Sequence, residues 1–236
     1  MSILKDKVCA ITGAGGGIGR ALALGFAAKG ARLILSSRDA IALESTCAAV
    51  RESGHSDVQA IVSDLSRDAD ALSLAGHVGR SSVDILVNNA GVFPTGPFLE
   101  TGLADLDACL TVNLRAPFAL SRAAAPHMVA QKWGRIVNIG SSSAYMGVAR
   151  SSLYCASKHA LLGLSRALHA ELRDQGVRVF CISPGSVKTR MGKDVQGQDF
   201  ETFIEPEEVA RAVLFAVEEH GNLVCDEIRL NRMSYQ

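Results

Sequence analysis

The sequence carries no excess of charge of either sign, and this absence excludes several kinds of partner. Its 236 residues include 24 basic and 24 acidic side chains, which gives a formal net charge of +0 at neutral pH. Nucleic acids are bound mainly through a surplus of positive charge, so we expect no nucleic-acid partner. No run reaches the roughly 18 apolar residues that a membrane-spanning helix needs, so we expect no membrane partner either.

Metal-binding and disulfide patterns are also missing. The six cysteines and six histidines are scattered, with no C-x-x-C pair and no H-E-x-x-H motif, so the sequence predicts no metal site. Most of the cysteines lie inside apolar runs, where a small buried thiol fits, and this is typical of a reducing cytosol. A signal peptide of about 15 to 30 residues would remove the first predicted strand, so we expect a cytoplasmic protein.

What the sequence does contain is an alternation of short apolar segments with longer helical patterns. This rhythm is typical of βαβ units and predicts an α/β protein with a seven-stranded parallel sheet and helices on both faces. The length and the 48% apolar composition fit one domain, 1–236. Strands are predicted near 7–12, 31–37, 58–62, 83–88, 135–141, 177–183 and 223–230, and helices near 18–29, 40–53, 68–80, 104–131, 152–174 and 206–219.

Two local features modify this pattern. Pro117 and Pro126 lie inside the fourth helical segment, where we expect a kink or a break because proline removes a helix hydrogen bond. Residues 190–205 form a polar, glycine-bearing stretch without clear periodicity. We expect this stretch to be a short substrate lid.

A glycine-rich turn follows the first predicted strand and reads T-G-A-G-G-G-I-G from Thr12 to Gly19. Glycines allow a tight turn and let backbone N–H groups and a helix N-terminus approach a diphosphate. The spacing differs from the general G-x-G-x-x-G fingerprint, but the position between a strand and a helix favours phosphate binding over a purely structural turn. The candidate cofactor residues here are Gly13, Gly15, Gly16, Gly17, Ile18 and Gly19.

Tyr154 and Lys158 stand four residues apart in the predicted helix 152–174. Positions four apart lie on one helix face, so the ammonium can stabilise a phenolate beside it. Tyrosine, whose ordinary pKa is about 10, could then exchange a proton near neutral pH. Taken alone, the pair is equally compatible with an exposed tyrosine and a solvated lysine.

Together with further motifs, these residues resemble the short-chain dehydrogenase/reductase family in its compact, single-domain form. The resemblance runs in order over roughly residues 5 to 230. It implies a Rossmann-type doubly wound fold and an oxidoreductase that acts on CH–OH or C=O groups with a nicotinamide cofactor. The motifs that carry it are the glycine turn, Asp64-Leu65, Asn88-Asn89-Ala90-Gly91, Asn113, the run Val137 to Ser141, Tyr154-x-x-x-Lys158 and Pro184-Gly185.

The resemblance also implies roles for individual side chains. Tyr154 would be the general acid or base, and Lys158 would lower its pKa and bind the cofactor ribose. Ser141 would bond the substrate oxygen, with Ser142 and Ser143 as competitors for that role, and Asn113 would hold a water in a proton relay. Further cofactor contacts are implied for Asp64, Leu65, Asn89, Ala90, Gly91, Pro184, Gly185, Val187 and Thr189.

The residues that decide between NAD(H) and NADP(H) are expected at the end of the second strand. An acidic residue there would bind the ribose hydroxyl of NAD, but this chain has Ser37 followed by Arg38. A neutral hydroxyl beside a guanidinium suits a phosphate, so we expect NADP(H) to be preferred over NAD(H). Asp39 is the alternative, because it could swing in and favour NAD(H).

Three functions compete at this point. The leading hypothesis is an NADP(H)-dependent carbonyl reductase for a small or medium apolar ketone, and the second is a 3-oxoacyl-[acyl-carrier-protein] reductase. The third, a non-catalytic cofactor-sensing protein, is disfavoured because Tyr154 and Lys158 are both present. We expect a homodimer or homotetramer. The substrate site is expected to be lined by Val92, Phe93, Pro94, 145–153 and 186–203, with Arg150 as a possible anion contact.

Overall fold

The computed structural model describes residues 2–195 and 197–233, and a single seven-stranded sheet organises them. All six pairings are parallel, and the strands follow one another across the sheet in the order β3-β2-β1-β4-β5-β6-β7. The predicted Rossmann-type fold class is therefore confirmed. The strands are β1 (Val8–Thr12), β2 (Arg32–Ser37), β3 (Val58–Val62), β4 (Ile85–Asn88), β5 (Gly134–Ile139), β6 (Val177–Pro184) and β7 (Glu227–Leu230).

Helices cover both faces of this sheet. They are α1 (Gly17–Ala28), α2 (Ala40–Glu52), α3 (Asp68–Arg80), α4 (Leu103–Leu110), α5 (Ala116–Ala130), α6 (Ser152–Leu172) and α7 (Pro206–Glu218). None of these helices, within the part of the chain that the structure describes, combines the length and apolar character needed to cross a membrane.

Two hydrophobic clusters hold the layers together. Successive side chains of a strand point to opposite faces, so Ile85 and Val87 join one cluster while Leu86 joins the other. The first cluster packs α1, α2 and α7 against the sheet, and the second packs α3 and α5 there, with Leu168 and Leu172 of α6 at its edge. Burial on both faces explains why the central strands are almost continuously apolar.

The predicted helix over 104–131 is interrupted, as expected near Pro117. A π-helical segment, Thr111–Arg115, separates α4 from α5, and Pro117 lies in the first turn of α5. A proline is tolerated there because the first N–H groups of a helix have no helical partner. The expected break does not occur at Pro126, which lies inside α5 without ending it.

The last strand is shorter than the predicted 223–230. β7 begins at Glu227, which pairs with Cys181 of β6. The apolar residues before it form a loop, because the Arg178 guanidinium donates to the carbonyl oxygens of Glu219, Gly221 and Leu223. Hydrophobicity alone could not distinguish this loop from a strand.

The segment predicted as a lid has little regular structure. It contains two 3-10 turns, Met191–Asp194 and Phe200–Thr202, and Gln196 lies outside the described residues. Its base is anchored by a parallel bridge between Val187 and Ile204, both of which are buried. The segment therefore extends from the carboxyl end of β6 and returns to it.

Candidate active site

The glycine turn joins β1 to α1 by close backbone packing. Gly19, in the first turn of α1, lies so close to the carbonyl oxygen of Gly13 that a Cβ would overlap it. Gly17 has a φ of +49°, and a Cβ there would lie 2.8 Å from Cγ2 of Thr189. Side chains at these two positions would prevent α1 and the base of the lid from approaching the turn.

This turn presents free hydrogen-bond donors. The residue before α1 is Gly16, and no side chain caps the N-terminus of this 12-residue helix. The first N–H groups of a helix lack helical partners and carry partial positive charge, so they attract phosphate groups. A side chain at Gly16 would meet nothing within 4 Å, so the cradle has room for the diphosphate of a dinucleotide.

A clamp between β1 and the end of β4 holds the glycine turn in place. The Thr12 hydroxyl accepts from the backbone N–H groups of Asn89 and Ala90, at 3.0 Å in both cases. In return, Nδ2 of Asn89 donates to the carbonyl oxygens of Thr12 and Gly13, at 2.9 and 3.1 Å. The side chain of Asn89 therefore shapes the turn.

A cavity of about 490 Å³ opens at the carboxyl ends of the strands, where open α/β sheets bind ligands. The structure brings most of the predicted cofactor and catalytic residues to its wall: Gly13, Gly15, Gly16, Gly17, Ile18, Ser37, Asn89, Ala90, Gly91, Ser141, Tyr154, Lys158, Pro184, Gly185, Val187 and Thr189. It does not bring the side chains of Arg38, Asp64, Leu65 or Asn113 there, and Gly19 lies behind Gly13.

Tyr154 lies in the wall of this cavity, and its side chain is buried. Its ring packs edge-on against Phe93, with 4.7 Å between the ring centroids. Burial raises the pKa of the Tyr154 hydroxyl to about 12, against the lowering effect of a hydrogen bond with Ser141. Ser142 and Ser143 also line the cavity, and of the three serines Ser141 is the one that lowers the pKa of Tyr154.

Lys158 lies one helical turn further along α6. Its Nζ donates to the carbonyl oxygen of Ile139 at 2.8 Å and lies 5.6 Å from the ring centroid of Tyr154. Burial lowers the pKa of the ammonium to about 8. The resemblance to the family implied that Lys158 would lower the pKa of Tyr154. In this structure burial of the phenol has the larger effect, and the pKa of Tyr154 is raised.

Asn113 lies in the π-helical segment, and its side chain bonds to Val92 and Ser157 instead of lining the cavity. Its Oδ1 accepts from the N–H of Val92 at 2.9 Å, and its Nδ2 donates to the Val92 carbonyl and to Oγ of Ser157, both at 3.0 Å. Ser157, which lies between Tyr154 and Lys158 in sequence, was not predicted. A serine with no charge and no motif spacing gives no sequence signal of such a contact.

At the end of β2, where the residues that select the cofactor are expected, Ser37 and Asp39 line the cavity and Arg38 is exposed beside it. The carboxylate of Asp39 accepts from the N–H of Ala42 at 3.0 Å and so caps α2. Asp64 accepts from the N–H and hydroxyl of Ser66, which hold the pKa of its carboxyl below the usual value, with a smaller effect from Arg38. Leu65 is buried in the core.

Comparison with known proteins gives the family. A model described as short chain dehydrogenase matches residues 7–199, which is most of the chain. The protein belongs to the short-chain dehydrogenase family. The resemblance inferred from the sequence motifs is therefore confirmed.

Relatives of this dehydrogenase act on different kinds of substrate. It is 41% identical to galactitol 2-dehydrogenase (L-tagatose-forming) of Cereibacter sphaeroides, over 89% of this chain and 87% of the relative. It is 38% identical to a human 3-oxoacyl-[acyl-carrier-protein] reductase, over 90% and 92%. A solved metagenomic short-chain oxidoreductase in complex with NADP is 34% identical, with a TM-score of 0.84 over 98% of this chain and 99% of that chain.

Each of the three segments predicted to line the substrate site contributes residues to the cavity wall. Phe93 follows β4, Val148 precedes α6, and the third segment contributes Ser186, Arg190, Met191, Gly192, Val195 and Gln198. Arg150, considered as an anion contact, does not line the cavity. Its backbone carbonyl accepts from the N–H of Gly96 instead, which joins the loops that follow β4 and β5.

Proposed function

We propose that this dehydrogenase transfers a hydride between NADP(H) and a ketone or secondary alcohol, with Tyr154 as the general acid in reduction and the general base in oxidation. The observation that carries the proposal is that Ser141, Tyr154 and Lys158 line one cavity, with Nζ of Lys158 5.6 Å from the ring centroid of Tyr154. Two hydroxyl groups at one point can hold a single carbonyl oxygen.

The residues present fit a nicotinamide dinucleotide. Gly16, Gly17 and the N-terminus of α1 would hold its diphosphate, while Tyr154 and Lys158 would hold the ribose next to the nicotinamide. Val187 and Thr189, at the base of the lid, would hold the carboxamide. When bound, the cofactor supplies the hydride, and the protein supplies position and proton transfer.

The proton steps follow from the two pKa shifts. With its pKa raised to about 12, Tyr154 keeps its proton at neutral pH and can donate it to the alkoxide that forms as a ketone is reduced. The phenolate left behind is then stabilised by the Lys158 ammonium. Ser141 donates a hydrogen bond to the same substrate oxygen and stabilises its developing negative charge.

The proposed preference for NADP(H) is supported by three observations. Ser37 at the cavity wall has no negative charge to repel a 2′-phosphate, and Arg38 is exposed next to it. Asp39, the carboxylate that lines the cavity beside Ser37, is engaged at the start of α2. A similar solved structure is in complex with NADP.

Tyr154→Phe tests the assignment of the acid. It removes the hydroxyl and keeps the ring that packs on Phe93, so the fold and cofactor binding should persist. Because general acid catalysis contributes about 10²-fold or more, kcat for ketone reduction should fall by at least about that factor. The measurement is NADPH oxidation with a panel of ketones, with NADPH binding followed by fluorescence. Near wild-type kcat in the variant would remove Tyr154 from the mechanism.

A 3-oxoacyl-[acyl-carrier-protein] reductase is the second candidate, supported by the 38% identity to the human enzyme of that name. Enzymes of this kind usually present basic residues to the acidic carrier protein. At the two corresponding positions of this chain, Lys132 is charged and Gln175 is neutral. Turnover of a 3-oxoacyl carrier protein and of the matching free thioester separates the two functions. A much higher kcat/KM for the carrier-bound substrate would favour this candidate.

We also propose a cytoplasmic location. All six cysteines are free thiols in the structure, and five of them are buried, which fits a reducing compartment. Fractionation of cells that express the protein, with detection in the cytosolic fraction, tests this proposal.

A further inference from the structure

The lid side of the catalytic cavity carries an arginine whose charge is not balanced. Three charged residues line the described cavity: Asp39, Lys158 and Arg190. Lys158 donates to a backbone carbonyl, and Asp39 caps α2. The Arg190 guanidinium has no hydrogen bond or ion pair within residues 2–195 and 197–233, although it has five N–H donors.

Two neighbouring cations have partners. Lys188 forms ion pairs with Glu201 at 3.3 Å and Glu205 at 2.8 Å. Arg232 donates to Oγ1 of Thr202 and to Oε1 of Gln198, both at 2.8 Å. Lys193 has no ion pair among the described residues either, but it does not line the cavity. Arg190 is therefore the cation of this segment that brings an unpaired charge to the described cavity wall.

Gln198 adds a second donor on the same wall. Its Oε1 accepts from the hydroxyl of Ser186 at 2.8 Å as well as from Arg232. A guanidinium can only donate, so the amide atom facing Arg232 is the oxygen, and the orientation of the amide is fixed. The Nε2 amino group of Gln198 is left as a donor with no partner among the described residues, on a side chain that lines the cavity.

Two unpaired donors on one described wall of the cavity suit an anion. The guanidinium supplies full positive charge and paired N–H groups that match a carboxylate or a phosphate, and the amide supplies a further N–H. Asp39, the acidic residue among the described cavity-lining residues, lies beside Ser37 at the start of α2, where the cofactor is expected to be selected. The cofactor diphosphate already has the glycine turn and the N-terminus of α1 as donors, so it does not need Arg190.

We propose that Arg190 and Gln198, with Arg232 behind Gln198, form a subsite for an anionic group of the substrate. The substrate is then a ketone, or the corresponding secondary alcohol, that bears a carboxylate or a phosphate. Its reacting oxygen lies at Tyr154 and Ser141, its anionic group lies at the lid, and its carbon skeleton contacts Phe93, Val148 and Met191. The subsite deepens the proposed function and rests on it.

The kinetic test compares 4-oxopentanoate, its methyl ester and hydroxyacetone phosphate as substrates for NADPH oxidation, at one ionic strength. Wild type should use at least one of the two anions with a higher kcat/KM than the neutral ester. In Arg190→Ala the ratio of anion to ester should fall by about 10- to 100-fold, the loss expected for a charge-assisted contact. Gln198→Glu, which places a carboxylate at the wall, should lower the same ratio.

Lys193→Ala is the matched control, because Lys193 is an exposed cation of the same segment that does not line the cavity. Its ratio should equal that of wild type. Equal kcat/KM for the anions and the ester in wild type would overturn the subsite while Tyr154-dependent reduction of the ester preserved the proposed function. A rise in KM for NADPH in Arg190→Ala, with an unchanged substrate ratio, would assign the guanidinium to the cofactor and also overturn the subsite.

A binding measurement keeps the subsite testable without turnover. Ligand binding to the folded state raises Tm by mass action. With saturating NADP⁺ to fill the glycine turn, millimolar 4-oxopentanoate or inorganic phosphate, matched in ionic strength by sodium chloride, should raise Tm of wild type and Lys193→Ala but not of Arg190→Ala. If neither anion raises Tm of wild type, or if Arg190→Ala responds as wild type does, the subsite does not exist.

Discussion

At the residue scale, burial of Lys158 makes part of the folding stability depend on pH. Folding lowers the pKa of its ammonium from 10.5 to about 8. Between these values the unfolded chain holds a proton that the folded chain has released, so stability from this group rises with pH. Below pH 8 the cost of burying the charge is fully present and amounts to roughly 3 kcal/mol at most.

Lys158→Met should therefore gain stability relative to wild type at pH 7 and lose that advantage as the pH approaches 10. Urea unfolding of both proteins across this range measures the difference. Lys132→Met, which changes an exposed lysine, is the control and should show no such trend. A pH-independent difference between Lys158→Met and wild type would show that the ammonium keeps its ordinary affinity for protons.

The second residue-scale prediction concerns cofactor choice. If Arg38 binds the 2′-phosphate, Arg38→Ala should reduce the preference for NADPH over NADH by about 1.5 to 3 kcal/mol. Ser37→Asp with Arg38→Ile should shift it further, because Ser37 lines the cavity and the new carboxylate would repel a phosphate.

Michaelis constants for NADPH and NADH test this prediction. They are measured at one ionic strength because salt screens an exposed charge contact. If wild type prefers NADH, or if Arg38→Ala weakens both cofactors equally, then Asp39, which does line the cavity, sets the choice.

Single residues could be predicted from the sequence only where a motif marks them. Ser141 and Tyr154 were found through family spacing, and both line the same cavity. Gln198 could not be identified in this way, because its orientation depends on Ser186 and on Arg232, which is 34 positions away. Local patterns also missed the effect of burial on the pKa of Tyr154, since burial depends on the whole fold.

At the scale of elements, α5 contains a proline that the fold tolerates without a break. Pro126 is exposed, so the carbonyl that lacks a helical partner can bond to water. The sequence pattern correctly placed an interruption near Pro117 but could not separate the two prolines, because their different effects depend on position within the helix.

Pro126→Ala should raise the free energy of unfolding, by up to about 3 kcal/mol, because alanine restores the helix hydrogen bond. Kinetic constants should not change. Pro117→Ala is the contrasting variant: Pro117 is buried in the first turn of α5, so its loss should give no gain in stability. Chemical denaturation measures both, and a destabilised Pro126→Ala would mean that the ring makes contacts that outweigh the hydrogen bond.

At the scale of the whole molecule, we propose that the chain forms a dimer or tetramer. A groove lies between α3, α5 and α6, lined by Leu72, Ala75, Leu114, Phe118, Ala119 and Leu164 among others. Leu72 is 65% exposed and Phe118 is 50% exposed in the single chain. Apolar side chains grouped in this way are typical of a surface covered by a second copy.

Light scattering at micromolar concentration should report a dimer or tetramer for wild type and a monomer for Phe118→Glu. Ile41→Glu, which places the same charge at an exposed apolar position of α2, should leave the assembly intact. A monomeric wild type would contradict the proposal, and an assembled Phe118→Glu would exclude this groove as the interface.

The clamp that joins Thr12 to Asn89 has a consequence for the order in which the molecule is made. The entire glycine motif leaves the ribosome early, but the amide groups that bond to Thr12 lie 77 and 78 residues later. A nascent chain that ends at β3 contains every glycine of the turn but lacks the side chain and the amide groups of the clamp. A fragment of residues 2–62 is therefore expected to leave NADPH fluorescence unchanged, and the ability to bind a cofactor arises only when β4 inserts beside β1.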